Sequence, residues 1–173
     1  MEFEELIKIC YGYTVNGIKN IVSMANKPFR FIYTSGVTVE RDQTKILPFL
    51  HDYRLMRVKL LEFSFSWSSI DHDYQGRVEN ALVDLAKQNA PALEVAITKP
   101  GGIEGPGYPK NAALTSVWVQ FGPTLWVYVS ELVAVMIELA LRGVSEDTLW
   151  GDEIYNIGSK MLEPEDYAFG DGL

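Results

Sequence analysis

The chain has 173 residues, 47% of them hydrophobic and 22% charged, with a formal net charge of −8. That length and apolar share support one compact domain with a core. The acidic balance and the scattered Lys and Arg residues argue against a nucleic-acid partner. A single cysteine, Cys10, excludes an internal disulfide and a Cys-based zinc site, and it fits a reducing, cytoplasmic setting. His51 and His72 have no partners at metal-ligand spacing, so no metal is expected. The acidic opening Met1-Glu2-Phe3-Glu4-Glu5, with no apolar stretch after it, does not read as a secretory signal.

In chain order, residues 2–26 place apolar side chains at Phe3, Leu6, Ile7, Cys10, Tyr13, Ile18, Ile21, Val22 and Ala25. That spacing predicts a helix, loosened at Gly12 and Gly17 and ended by Asn26-Lys27-Pro28. Residues 29–34 are short, apolar and β-rich, the pattern of a strand buried on both faces. Residues 36–52 read as loop. The spacing of Val78, Ala81, Leu82, Leu85 and Ala86 predicts a helix over 77–89, closed by Pro91. A second buried strand is expected over 93–98, ending at Pro100-Gly101, and 111–121 is ambiguous between helix and irregular structure. Ser130 reads as the N-cap of a helix that runs to Leu141 and stops at Gly143. A third strand is expected over 153–157, followed by an acidic, frayed tail. Helix and strand in alternation argue for α/β architecture with a parallel sheet.

Residues 117–141 are apolar enough to raise a membrane-associated alternative. Glu131 and Glu138 oppose it, since a carboxylate in mid-span costs about 2.5–3.5 kcal/mol. Gly122-Pro123 also divides the stretch into pieces shorter than a span requires.

The chemistry concentrates early. The strand Phe29-Arg30-Phe31-Ile32-Tyr33-Thr34 delivers Ser35 and Gly36, and Tyr53-Arg54-Leu55-Met56-Arg57 follows. A tyrosine can act as a general acid or base near neutral pH only if a neighbour lowers its pKa from about 10. A cation four residues on, Arg57, lies on the same helix face as Tyr53. Hydroxyl, phenol and cation together can move a proton onto or off a carbonyl oxygen. Tyr74 with Arg77 is a second candidate pair, with i,i+3 spacing.

This pattern resembles the extended short-chain dehydrogenase/reductase family, the branch similar to NAD-dependent epimerases and dehydratases. Lys99-Pro100-Gly101-Gly102-Ile103-Glu104-Gly105-Pro106-Gly107 looks like its Arg-Pro-Gly-x-x-x-Gly-Pro-Gly segment. Glu153-Ile154-Tyr155-Asn156-Ile157-Gly158 looks like its late Glu-x-Tyr-Asn-x-Gly strand. The resemblance implies a Rossmann-like fold, NAD or NADP as cofactor, and a small-molecule hydroxyl or carbonyl substrate. It implies that Ser35 orients the substrate and that Tyr53 is the acid/base, with Arg57 where the family uses Lys. Pro100, Gly101, Gly102 and Ile103 become the residues that face the cofactor. Arg departs from the family pattern, because it keeps its proton and is planar and bulkier. Thr14, standing where the family has a helix Asn, departs too.

The family's opening strand and Gly-x-x-Gly-x-x-Gly turn have no counterpart before Ser35. That turn is where the cofactor pyrophosphate meets backbone N–H groups at a helix N-terminus. The glycines at 101–107 have the wrong spacing and include Pro106, which offers no N–H. Residues 1–160 therefore read as the C-terminal half of an NAD(P)-binding domain, with 161–173 as an acidic tail. Residues 58–75 interrupt the resemblance: without them Arg57 joins Gly76-Arg77-Val78-Glu79. Their 18 codons, opening on a Val codon and closing on a Gln codon, suit an intron retained in frame, and an ordinary insertion loop is the alternative. The expected function is that of a truncated relative of an NAD(P)-dependent oxidoreductase or epimerase, inactive as this chain. A different class of reading is a non-catalytic pairing module that self-associates through the exposed edge of strand 29–34. Trp118, Trp126 and Trp150 read as packing residues.

Overall fold

Strand-forming Phe, Ile, Tyr and Val runs alternate with helix-spaced apolar residues, and the chain folds as α/β with parallel sheets flanked by helices. The computed structural model describes Glu5 and residues 8–37, 39–42, 76–105 and 126–167. Two compact units divide the chain, Met1–Phe29 with Thr38–Glu94 and Arg30–Val37 with Val95–Leu173.

In the first unit a π-helical segment, Lys8–Tyr13, runs into α1, Thr14–Val22, which buries Val15, Ile18 and Val22 along one stripe. Helix α2, Arg77–Gln88, starts at Gly76, whose φ of 66° favours glycine. It buries Val78, Leu82 and Leu85, in agreement with the predicted face. The Asn89 side chain donates to the Leu85 carbonyl at 2.8 Å, satisfying one of the acceptors left open at the helix end. Glu79 lies on the same helix and is only 1% exposed. Its carboxylate accepts a bond from Arg41 Nε at 2.8 Å, and Asn80 Nδ2 donates to the Arg41 carbonyl at 3.1 Å.

The second unit is built on a sheet of order β1-β2-β5: β1 is Phe29–Thr34, β2 Leu93–Lys99 and β5 Thr148–Trp150. Strands β2 and β5 are parallel, with Ile97 opposite Thr148 and Lys99 opposite Trp150. Ser35 N–H donates to the Thr98 carbonyl at 2.8 Å and Val37 N–H to the Pro100 carbonyl at 3.0 Å, so β1 advances alongside β2 in the same direction. The central strand β2 is buried from Val95 to Lys99, as expected for a parallel strand covered on both faces. By contrast β1 is half-buried throughout its length, which corrects the expected burial on both faces. Among the described residues it stands at the end of the strand order, with a partner strand on one side only, and that is the reason.

A second, two-stranded parallel sheet pairs β3, Gly102–Glu104, with β4, Trp126–Tyr128. A Cβ on Gly102 would fall 2.3 Å from the Trp126 ring, so only glycine fits that approach. Helix α3, Val129–Arg142, packs Leu132, Val135 and Leu139 against Ala96, Val127, Leu149 and Ile154, with Ile32 and Met136 at the margin. The Arg30 guanidinium donates to the carbonyls of Ala140 and Leu141 at 2.8 and 3.1 Å, a cation closing a helix C-terminus. Gly143, at φ 100°, ends the helix where the sequence places its stop.

Three expectations need correction. The N-cap of α3 is Tyr128 rather than Ser130, because Glu131 reaches back to the Tyr128 N–H at 2.7 Å and so stands at the third helical position. Residues 153–157 are not a strand. They lie within α4, Gly151–Gly158, whose start is fixed by Glu153 accepting from the Trp150 N–H at 2.7 Å. The β-rich letters Ile154, Tyr155 and Ile157 gave the strand reading, but burial falls on Gly151, Ile154 and Gly158, at helical spacing. The third correction concerns the tail. A 3₁₀ turn, Pro164–Tyr167, is held by the Tyr167 hydroxyl donating to Glu131 at 3.1 Å, with the rings of Tyr128 and Tyr167 edge-on at 5.6 Å.

Burial, then the hydrogen bond to Glu131, holds the Tyr167 phenol above its ordinary value of 10.0. A raised phenol contributes stability below the unfolded value and loses it as pH rises through the folded one. Thermal unfolding of the native chain should therefore fall with alkaline pH more steeply than that of Tyr167→Phe. Parallel curves for the two proteins above pH 10 would contradict the contact. Among the described residues, no helix is long and apolar enough to cross a membrane.

Candidate functional site

Parallel strands of an open α/β sheet present their carboxyl ends to ligands. Here the carboxyl ends of β1, β2 and β5 bring three side chains into one row. The ladder sets Thr34 opposite Thr98, and Thr98 Oγ1 donates to Thr34 Oγ1 at 3.3 Å. One step further along, Ser35 stands opposite Lys99, and Lys99 opposite Trp150. Side chains alternate along strands and match across them, so Ser35, Lys99 and Trp150 share one face. Thr34, Thr98 and Leu149 share the other, where Thr34 approaches the Met136 sulfur.

Ser35 is 4% exposed and Lys99 2%, whereas Trp150 is 44% exposed. The Lys99 ammonium sits 4.9 Å from the centre of the Trp150 ring, an attractive cation–π arrangement. Beyond Lys99 the chain turns through Pro100 and Gly101 into β3. Pro100 is buried, Gly101 and Gly102 are half-buried, and Ile103 is exposed. The glycine at 102 is accounted for by the Trp126 ring.

Of the residues singled out from sequence, Ser35 and Pro100–Ile103 are thus gathered at this edge. Tyr53, Arg57 and Tyr74 lie outside the described residues. Arg77 opens α2 with its guanidinium 6.0 Å from the Tyr11 ring centre, in the first unit. In the sequence Lys99 stands out only as the first letter of the Lys-Pro-Gly-Gly segment, and its position in the row depends on strand pairing. The available signal was a Lys closing an otherwise apolar strand just before Pro-Gly. Among the described residues there is no group of three or more His, Cys, Asp or Glu side chains that could hold a metal ion.

Comparison with protein-family models, curated proteins and solved structures finds no match to this chain. The class defined by fold and site is accordingly an α/β protein with a Ser–Lys–Trp row at the carboxyl edge of a parallel sheet.

Proposed function

We propose that this chain carries the substrate-side part of an NAD(P)-dependent oxidoreductase or epimerase site for a hydroxyl or carbonyl compound, in a cytoplasmic setting. The observation that supports it is the placing of Ser35 beside the turn after β2, with Val37 N–H bonded to the Pro100 carbonyl at 3.0 Å. Ser35 would orient the substrate oxygen. Pro100 and Gly101 would bear the nicotinamide, whose part in the chemistry is to carry hydride. With no Gly-x-x-Gly-x-x-Gly turn in the 173 residues, the pyrophosphate lacks its ring of N–H donors, and binding should be weak. An NMR titration with NADPH is expected to give a Kd of about 1 mM or weaker, near −4 kcal/mol. Its shifts should centre on Ser35, Gly101 and Gly102. Micromolar binding, or shifts confined to other residues, would overturn this reading.

A second reading, a pairing module with no catalysis, is favoured by the terminal place and half-burial of β1. Apolar edge strands recruit further chains. On this reading, light scattering finds dimers or larger species, and Phe31→Lys lowers their population. Ile32 is the poorer site for that test, because it packs on the core beside α3. A monomer at all concentrations would exclude the pairing module.

A further inference from the structure

We propose that the outward face of α3 is the contact surface for a second copy of this chain, the two helices lying antiparallel about a twofold axis. The pattern on α3 reverses that of an ordinary surface helix, whose outer face is polar. Val129, Val133, Ile137 and Leu141 recur every four residues and are 38%, 46%, 52% and 72% exposed. Ala140, also exposed, and the half-buried Ser130 fill the same side. At 3.6 residues per turn, the charged residues of the helix, Glu131, Glu138 and Arg142, fall on the opposite side. Glu131 is buried, and Glu138 and Arg142 pair with each other at 2.9 Å. The helix thus presents an apolar face with no charge on it to solvent.

Area, charge and shape each fit a second copy to this face. The six side chains offer roughly 400 Å² of surface, a size at which the largest apolar patch of a monomer is often functional. Two copies bury roughly 800 Å² between them, below the ~1,200 Å² of a permanent interface, so the pair forms and parts reversibly. A chain of net charge −8 is repelled by the anionic surface of a membrane. It also repels its own copy, but salt screens that repulsion, and at this face no charge is brought against its like. The stripe grows from Val to Ile and Leu, and its exposure rises steadily toward the helix C-terminus. Antiparallel pairing sets Leu141 against Val129 and Ile137 against Val133, so each large side chain meets a small one. A line at four-residue spacing is the ridge along which helices most commonly pack, and identical ridges of two copies can run side by side. This face is separate from the edge of β1, and the proposal stands apart from the pairing through that edge.

The test is sedimentation equilibrium of the native chain over concentrations that bracket a Kd of about 100 µM, the order expected of a transient interface this small. A reversible monomer–dimer equilibrium is expected, tightening as salt is raised. Ile137→Lys and Val133→Lys should each weaken it at least about 10-fold, because the twofold axis brings the new charge into the contact twice. Phe31→Lys, on β1, should leave it unchanged. Circular dichroism shows whether each variant is folded. Dimers that survive in a folded Ile137→Lys protein overturn the proposal, as does an association abolished by Phe31→Lys alone. Dimers that weaken as salt is raised overturn it even if both α3 variants fail to fold. A native chain that stays monomeric to about 1 mM overturns it too. If that monomer floats with phosphatidylcholine vesicles and Ile137→Lys does not, the face belongs to a membrane surface instead.

Discussion

Arg41→Ala should lower the unfolding free energy by about 3 kcal/mol, the low end of the cost of removing one partner from a buried ion pair. Glu79 is almost wholly buried, and Arg41 Nε lies 2.8 Å from its carboxylate with the Arg side chain 28% exposed. That partial exposure leaves water some access from the arginine side, which is why the low end applies. Removing the guanidinium takes a charged partner away from a carboxylate buried in the first unit. Glu79→Gln should cost less, about 1–2 kcal/mol, because the amide oxygen can still accept the hydrogen bond and the one charge that remains, on Arg41, is partly exposed to water. Urea unfolding of the three proteins ranks them directly. A native-like midpoint for Arg41→Ala would mean that the pair carries little. For a protein of ordinary stability, about 5–15 kcal/mol, the expected loss is a large fraction of the total.

Gly158→Ala should destabilise, although glycine to alanine within a helix ordinarily stabilises by about 1 kcal/mol. A Cβ at residue 158 would fall 2.6 Å from the Glu131 carbonyl oxygen and 2.8 Å from its Cα. Those are backbone atoms of α3, at the turn that carries the Glu131 cap and the Tyr167 contact. They cannot yield as the tip of a flexible side chain would. Overpacking of this kind costs about 1–3 kcal/mol, and more where the obstacle is backbone. Gly17 provides the control. It lies inside α1 with nothing within 4 Å of its would-be Cβ, so Gly17→Ala should stabilise by about 0.5–1 kcal/mol. Opposite signs in thermal unfolding are the expected result; a stabilising Gly158→Ala would refute the close approach of α3 and α4.

The sequence by itself determined the class of fold and the position of several elements. Apolar residues at 78, 82 and 85 placed α2 correctly, and an apolar run closed by Pro100-Gly101 placed β2. Periodicity suffices there because each segment is long, strongly patterned and punctuated by Gly or Pro. It failed at 153–157, where five β-favouring and polar letters fit a short strand as well as a helix. The choice was made by the Glu153 carboxylate at the Trp150 N–H and by the burial of Ile154 against α3. Likewise Ser130 has the chemistry of an N-cap, but β4 ends at Tyr128, so Glu131 rather than Ser130 meets the open N–H.

The candidate site divides in the same way. Ser35 and Pro100-Gly101-Gly102 were legible as residues that end strands, since strand ends are marked locally. Their juxtaposition with Lys99 and Trp150 was not, because it depends on the order β1-β2-β5 and on a register linking residues 35, 99 and 150. Register is set by backbone hydrogen bonds between segments far apart in the chain, and a shift of one residue would move every side chain to the other face. That is why Lys99 reads from sequence as the last letter of an apolar strand, and only the assembled sheet makes it the centre of a row.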